Sequence, residues 1–141
     1  MPTSAAVARV VVDPNVLVSA AITSGTSRSV VDAASTGVLV IVVCPLLVAE
    51  LTAVLARERF ERWRTRDRLD RYVADIISIA EHHPDPCPIA AVTRDPGDDY
   101  LVALAAAADA VICSGDRDLH AAAIDVAVFT PGELIERVAT R

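Results

Sequence analysis

The chain has 141 residues, 53% of them hydrophobic, and a formal net charge of −6 at pH 7, which predicts one acidic domain over residues 1–141 with a sizeable core. It contains no lysine and no G-x-G-x-x-G pattern, which argues against a Walker A loop, Schiff-base catalysis, lysine-assisted phosphatases and a dinucleotide site. No apolar run approaches the roughly 18 residues of a membrane span, and no basic signal sequence precedes Asp13, so we expect a cytoplasmic protein without membrane association.

Short apolar runs alternate with helical patterns along the chain. Runs of Val, Ile and Leu without polar alternation are typical of strands buried on both faces of a parallel sheet. The predicted strands are Ala8–Val12, Val38–Val43, Ala110–Cys113 and Val126–Phe129. The predicted helices are Asn15–Ile22, Ser24–Thr36, Leu46–Arg57, Tyr100–Ala108, Leu119–Ala123 and Pro131–Val138. This alternation predicts an α/β fold with a central parallel sheet of four to five strands and helices on both faces, a three-layer α/β/α arrangement.

A basic segment, Arg57–Arg71, begins a further predicted helix that continues to His82 and His83. Oppositely charged residues spaced four apart in this segment favour a solvated helical face. The alternative is a path for RNA phosphates that includes Arg62, Arg64 and Arg66. Both interpretations stay open from the sequence.

Carboxylates follow two of the predicted strands. Asp13 comes directly after the first strand, and Asp116 and Asp118 come shortly after the third. In an open α/β sheet the start of a helix and the end of the next strand share one edge. Asp98, which precedes the helix Tyr100–Ala108, is therefore expected beside Asp116. For Asp13 alone, the alternative is that it only caps the following helix.

Glu50 is the one charged residue within LLVAELTAVLA, and its neighbours at helical spacing are apolar. Burying an unpaired carboxylate costs several kcal/mol, so we expect Glu50 to be protonated, to pair with an arginine such as Arg28, or to bind a cation. It lies about 7 Å from the helix start at 1.5 Å per residue. That position is close to the edge where the aspartates are expected.

Four acidic positions are thus predicted to converge on one edge of the sheet: Asp13, Glu50, Asp98 and Asp116, with Asp99 and Asp118 close to them. Crowded carboxylates repel one another unless a cation lies among them. A ligand set with oxygen atoms alone selects hard ions such as Mg²⁺ or Mn²⁺. Ions of this kind stabilise phosphate oxygens and activate water, which suits phosphodiester hydrolysis.

The motifs VVVDPNVLVSA, LLVAEL, RDPGDDYLVALA and SGDRDL, in this order and spacing, resemble the PIN-domain family, and within it the small ribonucleases of the VapC toxin type. The resemblance extends from Arg9 to about Leu134. It implies a Mg²⁺-dependent endoribonuclease that cleaves single-stranded RNA, a homodimer, and a small antitoxin that blocks the acidic cleft. By motif, it implies catalytic and metal-binding roles for Asp13, Glu50, Asp98 and Asp116, a further metal ligand in Asp118, and supporting roles for Asn15 and Ser114, with Asp99 as the substitute for Asp98.

Two other functions remain open from the sequence. The first is a non-catalytic RNA-binding PIN module whose carboxylates are structural. The second is a metal-dependent DNA nuclease, because contacts to the ribose 2′-hydroxyl cannot be identified from these residues.

Overall fold

A five-stranded parallel sheet lies at the centre of the molecule. The computed structural model describes residues 7–57, 66–87, 89, 96–121 and 125–139. Within these ranges the sheet has the order β3-β2-β1-β4-β5, and every neighbouring pair is parallel. The strands are β1 (Ala8–Val12), β2 (Leu39–Val43), β3 (Glu81–His82), β4 (Val111–Cys113) and β5 (Val128–Phe129). The predicted parallel sheet of four to five strands is confirmed.

Helices connect the strands and cover the sheet. In the described part of the chain they are α1 (Pro14–Ile22), α2 (Thr26–Ser35), α3 (Pro45–Leu55), α4 (Arg66–Ile79), α5 (Asp99–Ala108), α6 (Arg117–Ala121) and α7 (Pro131–Ala139). From β1 the chain moves outward to β2 and β3, then returns to the other side of β1 for β4 and β5. Right-handed crossovers in these two directions place helices on opposite faces, which gives the predicted three-layer α/β/α fold.

The change of direction creates a crevice between β1 and β4. In open parallel sheets, ligands bind at the carboxyl ends of the strands where the strand order reverses. Val12 at the end of β1 is in register with Cys113 at the end of β4, and the backbone N–H of Asp13 donates to the Cys113 carbonyl oxygen at 2.9 Å. The register therefore brings the residues that follow the two strands, Asp13 and Ser114, side by side.

The core explains why most residues of the central strands are apolar. Val10, Val11, Val12, Ile41 and Ile112 are fully buried, because helices cover both faces of the sheet. Cys44 and Cys113 are also buried, where a free cysteine packs as a small apolar side chain. Among the described helices, none is long and apolar enough to cross a membrane.

The prediction that one helix continues to His82 and His83 is wrong. Helix α4 ends at Ile79, and Glu81–His82 forms edge strand β3 beside β2. The His83 backbone N–H donates to the Val43 carbonyl at 2.9 Å, and Arg9 Nε on β1 donates to Glu81 Oε1 at 2.8 Å. These tertiary contacts favour extended backbone where the local pattern favoured helix.

Candidate active site

Asp13 both caps a helix and lies at the crevice. Pro14 starts α1, where its missing N–H costs no hydrogen bond, and Asp13 Oδ1 accepts from the Asn15 backbone N–H at 3.0 Å. Asp13 therefore caps helix α1. Capping does not account for the second carboxylate oxygen, because Asp13 Oδ2 accepts from the Ser114 hydroxyl at 2.8 Å. Asp13 is only 4% exposed.

Ser114 links the carboxylate after β1 to the loop after β4. It is fully buried, its hydroxyl donates to Asp13, and the same oxygen accepts from the Asp116 backbone N–H at 3.0 Å. Asp116 Oδ1 in turn accepts from the Asp118 backbone N–H at 2.8 Å, which starts helix α6. The His120 ring, one turn into α6, bonds to the Ser114 carbonyl at 2.7 Å. Hydrogen bonds thus fix Asp13 and Asp116 relative to each other.

A cavity of about 380 Å³ opens beside this pair. Its lining comes from the ends of β1 and β4 and from neighbouring helices. The lining residues are Asp13, Asn15, Val16, Ser19, Ser27, Gly115, Asp116 and Pro131. Three predicted site residues, Asp13, Asn15 and Asp116, therefore share one cavity.

Glu50 is held by a tyrosine that sequence reasoning did not identify. Tyr100 is 7% exposed, and its hydroxyl donates to Glu50 Oε1 at 2.8 Å. The alternative partner Arg28 instead contacts Asp32 at 3.4 Å on its own helix. The sequence feature that could have predicted this partner is the position of Tyr100, which has a hydroxyl donor and lies in the first turn of the helix predicted to start at the acidic edge.

Burial raises the pKa of the Tyr100 phenol far above its usual range, and the hydrogen bond and negative charge of Glu50 raise it further. The charge of Asp13 also raises the pKa of Tyr100, so the phenol lies within the electrostatic influence of both carboxylates. Tyr100 therefore remains a neutral hydrogen-bond donor at physiological pH.

Asp98 and Asp99 lie at the N-terminal end of α5. A single 3-10 turn, Pro96–Asp98, leads into the helix, with Asp98 at the N-cap and Asp99 in the first turn. Asp98 is half-buried, whereas Asp99 is only 5% exposed. Helix α5 packs against β1 and β4, the two strands that flank the crevice. The choice of Asp98 over Asp99 as the functional carboxylate stays a prediction.

The chemistry of these side chains suits a hard cation. Among the described residues, Asp13, Glu50 and Asp116 form no ion pair with Arg or His, and their hydrogen bonds come from neutral donors. As placed, no three His, Cys, Asp or Glu side chains in the described ranges form a group that could hold an ion. Mg²⁺ is usually bound through one or two carboxylates and keeps several waters. Asp13 and Asp116, on one cavity, fit that mode of binding.

The predicted RNA path lies almost wholly outside the described residues. This applies to Arg62 and Arg64, while Arg66 is described only as the first residue of α4. Their role in RNA binding stays a prediction.

Comparison with known proteins identifies the family and the fold. The model of the PIN domain family matches residues 9–118. PAE2754 from Pyrobaculum aerophilum has a similar structure, with a TM-score of 0.67 and 20% identity over 96% of this chain and 91% of that one. VapBC2 from Rickettsia felis, solved bound to a DNA fragment from their promoter, matches with a TM-score of 0.62 and 10% identity over 86% of this chain and 98% of that one. No curated protein sequence matches the chain.

The match to the family model covers most of the chain and all four acidic motifs. The protein therefore belongs to the PIN domain family, whose members are generally nucleases. The two solved structures share its fold at low sequence identity.

Proposed function

We propose that the protein is a cytoplasmic, Mg²⁺-dependent endoribonuclease that cleaves single-stranded RNA, with Mn²⁺ able to replace Mg²⁺. The observation that carries the proposal is the Asp13–Ser114–Asp116 hydrogen-bonded array, on one cavity at the crevice between β1 and β4. Membership of the PIN domain family supports nuclease chemistry for this arrangement.

The proposed metal ligands form two groups, those that line the cavity and those that do not. Asp13 and Asp116 line the cavity and are the primary carboxylates for a cation. Glu50, Asp98 and Asp118 complete the acidic edge, and Asp99 is the substitute for Asp98. A bound Mg²⁺ would neutralise oxygens of the scissile phosphate and activate water for in-line attack.

The protein's own contribution is positioning. The Asn15 N–H and the Ser114 hydroxyl hold both oxygens of Asp13 in fixed directions. The Asp118 N–H does the same for one oxygen of Asp116. Carboxylates that are already oriented need little reorganisation when a cation and a phosphate arrive. Cleavage by attack of water is expected to leave 5′-phosphate and 3′-hydroxyl ends.

The proposal is tested by incubating a mixed-sequence single-stranded RNA, and a DNA copy of it, with purified wild-type protein in Mg²⁺. Asp13→Asn and Asp98→Asn are expected to abolish RNA cleavage while circular dichroism shows an intact fold. Asp32→Asn, which changes an exposed carboxylate on α2, is the matched control and should cleave as wild type does.

The outcomes separate the candidate functions. RNA cleavage with 5′-phosphate ends supports the proposal, whereas cleavage of DNA alone would identify a DNA nuclease. Binding of RNA in EDTA without cleavage in Mg²⁺ would identify a non-catalytic binding module. Full activity in both Asp13→Asn and Asp98→Asn would refute the proposed site.

We also propose that the protein is a homodimeric toxin paired with a small antitoxin that covers the acidic cleft. The fold shared with VapBC2 from Rickettsia felis, solved as a complex, supports this partnership. An arginine of the antitoxin would be attracted to the carboxylates Asp13 and Asp116. Co-expression with the neighbouring gene product should yield a co-purifying complex without ribonuclease activity. If the protein does not bind the neighbouring gene product and stays active in its presence, this would argue against a dedicated antitoxin.

A further inference from the structure

Tyr100 is a buried residue next to the proposed catalytic carboxylates. It lies in the first turn of α5, directly after Asp98 and Asp99. Its hydroxyl donates a hydrogen bond to Oε1 of Glu50 on α3, at a distance of 2.8 Å. The bond therefore connects two elements that both begin at the acidic edge of the sheet.

Glu50 has no other hydrogen bond or ion pair within the described part of the chain. A glutamate has three side-chain torsions, and without a partner it can point in many directions. The Tyr100 hydroxyl engages Oε1, and this leaves Oε2 available for a cation or for water. A carboxylate held through one oxygen presents the other in a defined direction.

We propose that Tyr100 is a positioning residue for this nuclease, which orients Glu50 for binding of the divalent cation. This inference rests on the proposed function and assigns to that site a residue beyond the acidic set. Tyr100 acts through Glu50 and is not itself a ligand. Hydrogen-bond partners of metal-binding carboxylates contribute about 10–100-fold to metal affinity or activity.

The chain contains a matched control. Its two tyrosines are Tyr72 and Tyr100, and each donates one hydrogen bond from a largely buried ring. Tyr72 donates to the Leu17 carbonyl at 2.6 Å, a backbone acceptor on α1. Replacing either tyrosine with Phe removes one hydroxyl and one hydrogen bond, but only Tyr100→Phe removes a bond to a proposed ligand.

The test compares Mn²⁺ affinity, measured by electron paramagnetic resonance of free Mn²⁺, with kcat and KM for RNA cleavage in the two variants. Tyr100→Phe is expected to weaken Mn²⁺ binding and to lower kcat/KM by about 10–100-fold. Tyr72→Phe is expected to stay within about twofold of wild type in both measurements. Thermal unfolding of each variant verifies that the fold is intact.

A double-mutant cycle tests whether Tyr100 acts through Glu50. Because Glu50→Ala removes the group that Tyr100 would orient, the double variant Tyr100→Phe/Glu50→Ala should bind Mn²⁺ as Glu50→Ala does. Independent, additive losses would show that Tyr100 does not act through Glu50 and would overturn the inference. Equal losses in Tyr100→Phe and Tyr72→Phe would also overturn it, because they would reflect general loss of packing.

Failure of this inference is distinguishable from failure of the proposed function. If wild type binds Mn²⁺ and cleaves RNA, and Tyr100→Phe matches it, only the positioning role is refuted. If wild type neither binds Mn²⁺ nor cleaves RNA, the proposed function is refuted and the positioning role falls with it.

Discussion

Ser114 donates its hydroxyl hydrogen to Asp13 at 2.8 Å, across a sequence separation of 101 residues. The contact exists because β1 and β4 are parallel neighbours and end in register. It joins the two halves of the candidate site at the point where the sheet changes direction. A single buried hydroxyl thereby links the carboxylate of Asp13 to the backbone of Asp116.

The first prediction concerns this hydroxyl. Ser114→Ala should lower the free energy of unfolding by about 1–3 kcal/mol, because it leaves a buried acceptor on Asp13 and the Asp116 N–H without their partner. It should also lower kcat/KM for RNA by about 10–100-fold, as expected when a partner of a ligand is lost. Urea denaturation and initial cleavage rates measure the two effects. The control is Ser35→Ala, whose hydroxyl bonds to Val31 within α2, and equal losses of activity in both variants would contradict the prediction.

The second prediction concerns helix α7. Thr130 and Glu133 form a capping box, in which Glu133 Oε1 accepts from the Thr130 N–H at 2.8 Å and Thr130 Oγ1 accepts from the Glu133 N–H at 3.1 Å. Thr130→Ala should cost about 0.5–2 kcal/mol of unfolding free energy, since it removes the N-cap acceptor. Equilibrium unfolding in urea measures the change. Thr130→Ser keeps the acceptor and should stay close to wild type; equal destabilisation of both variants would count against the capping role.

The third prediction is a pH dependence of stability. Hydrogen bonds from Arg9 and then His83 hold the pKa of Glu81 below its ordinary value of 4.5. Because the folded-state pKa is lowered, the stabilisation from Glu81 is present above that ordinary value and is lost as the pH falls through the lowered pKa. The melting temperature of wild type should therefore exceed that of Glu81→Gln at about pH 7, and the difference should shrink as the pH falls below 4.5.

Thermal unfolding at several pH values measures this difference, with the exposed Glu136→Gln on α7 as the control. A gap between wild type and Glu81→Gln that stays constant down to about pH 3 would show that the charge of Glu81 is not its source.

The fourth prediction concerns the arginine-rich segment. Changing Arg62, Arg64 and Arg66 together to Ala should weaken RNA binding and reduce the slope of log affinity against log salt by about 2, at roughly 0.7 per phosphate contact. Binding is measured with the Asp13→Asn background, so that the RNA is not cleaved. The control removes the same charge elsewhere, through Arg9, Arg28 and Arg137. An unchanged salt slope in the variant without Arg62, Arg64 and Arg66 would support the alternative interpretation, in which the segment is a solvated helical face.

Most of the fold could be predicted because its determinants are local. Runs such as Val10–Val12 are apolar throughout, and a strand covered on both faces requires this composition. The edge at which Asp13 and Asp116 meet followed from the rule that parallel strands end together. The Thr130–Glu133 capping box also has a local signature, the sequence T-P-G-E.

The remaining features depend on contacts between distant residues. Strand β3 has only two residues, Glu81 and His82, which are too few to show a hydrophobic period. It pairs with β2 through contacts that the local sequence does not encode. The bond between Tyr100 and Glu50 likewise joins residues 50 positions apart. The sequence predicts that Glu50 needs a partner, but the identity of that partner depends on the packing of α5 near α3.

The central claim is that the carboxylate edge uses a divalent cation to hydrolyse RNA, and metal removal followed by metal return tests it most directly. Wild-type protein treated with EDTA should not cleave single-stranded RNA, and addition of excess Mg²⁺ should restore cleavage. Asp13→Asn should remain inactive under both conditions. Cleavage by wild type in EDTA, or cleavage by Asp13→Asn at the wild-type rate in Mg²⁺, would contradict the account.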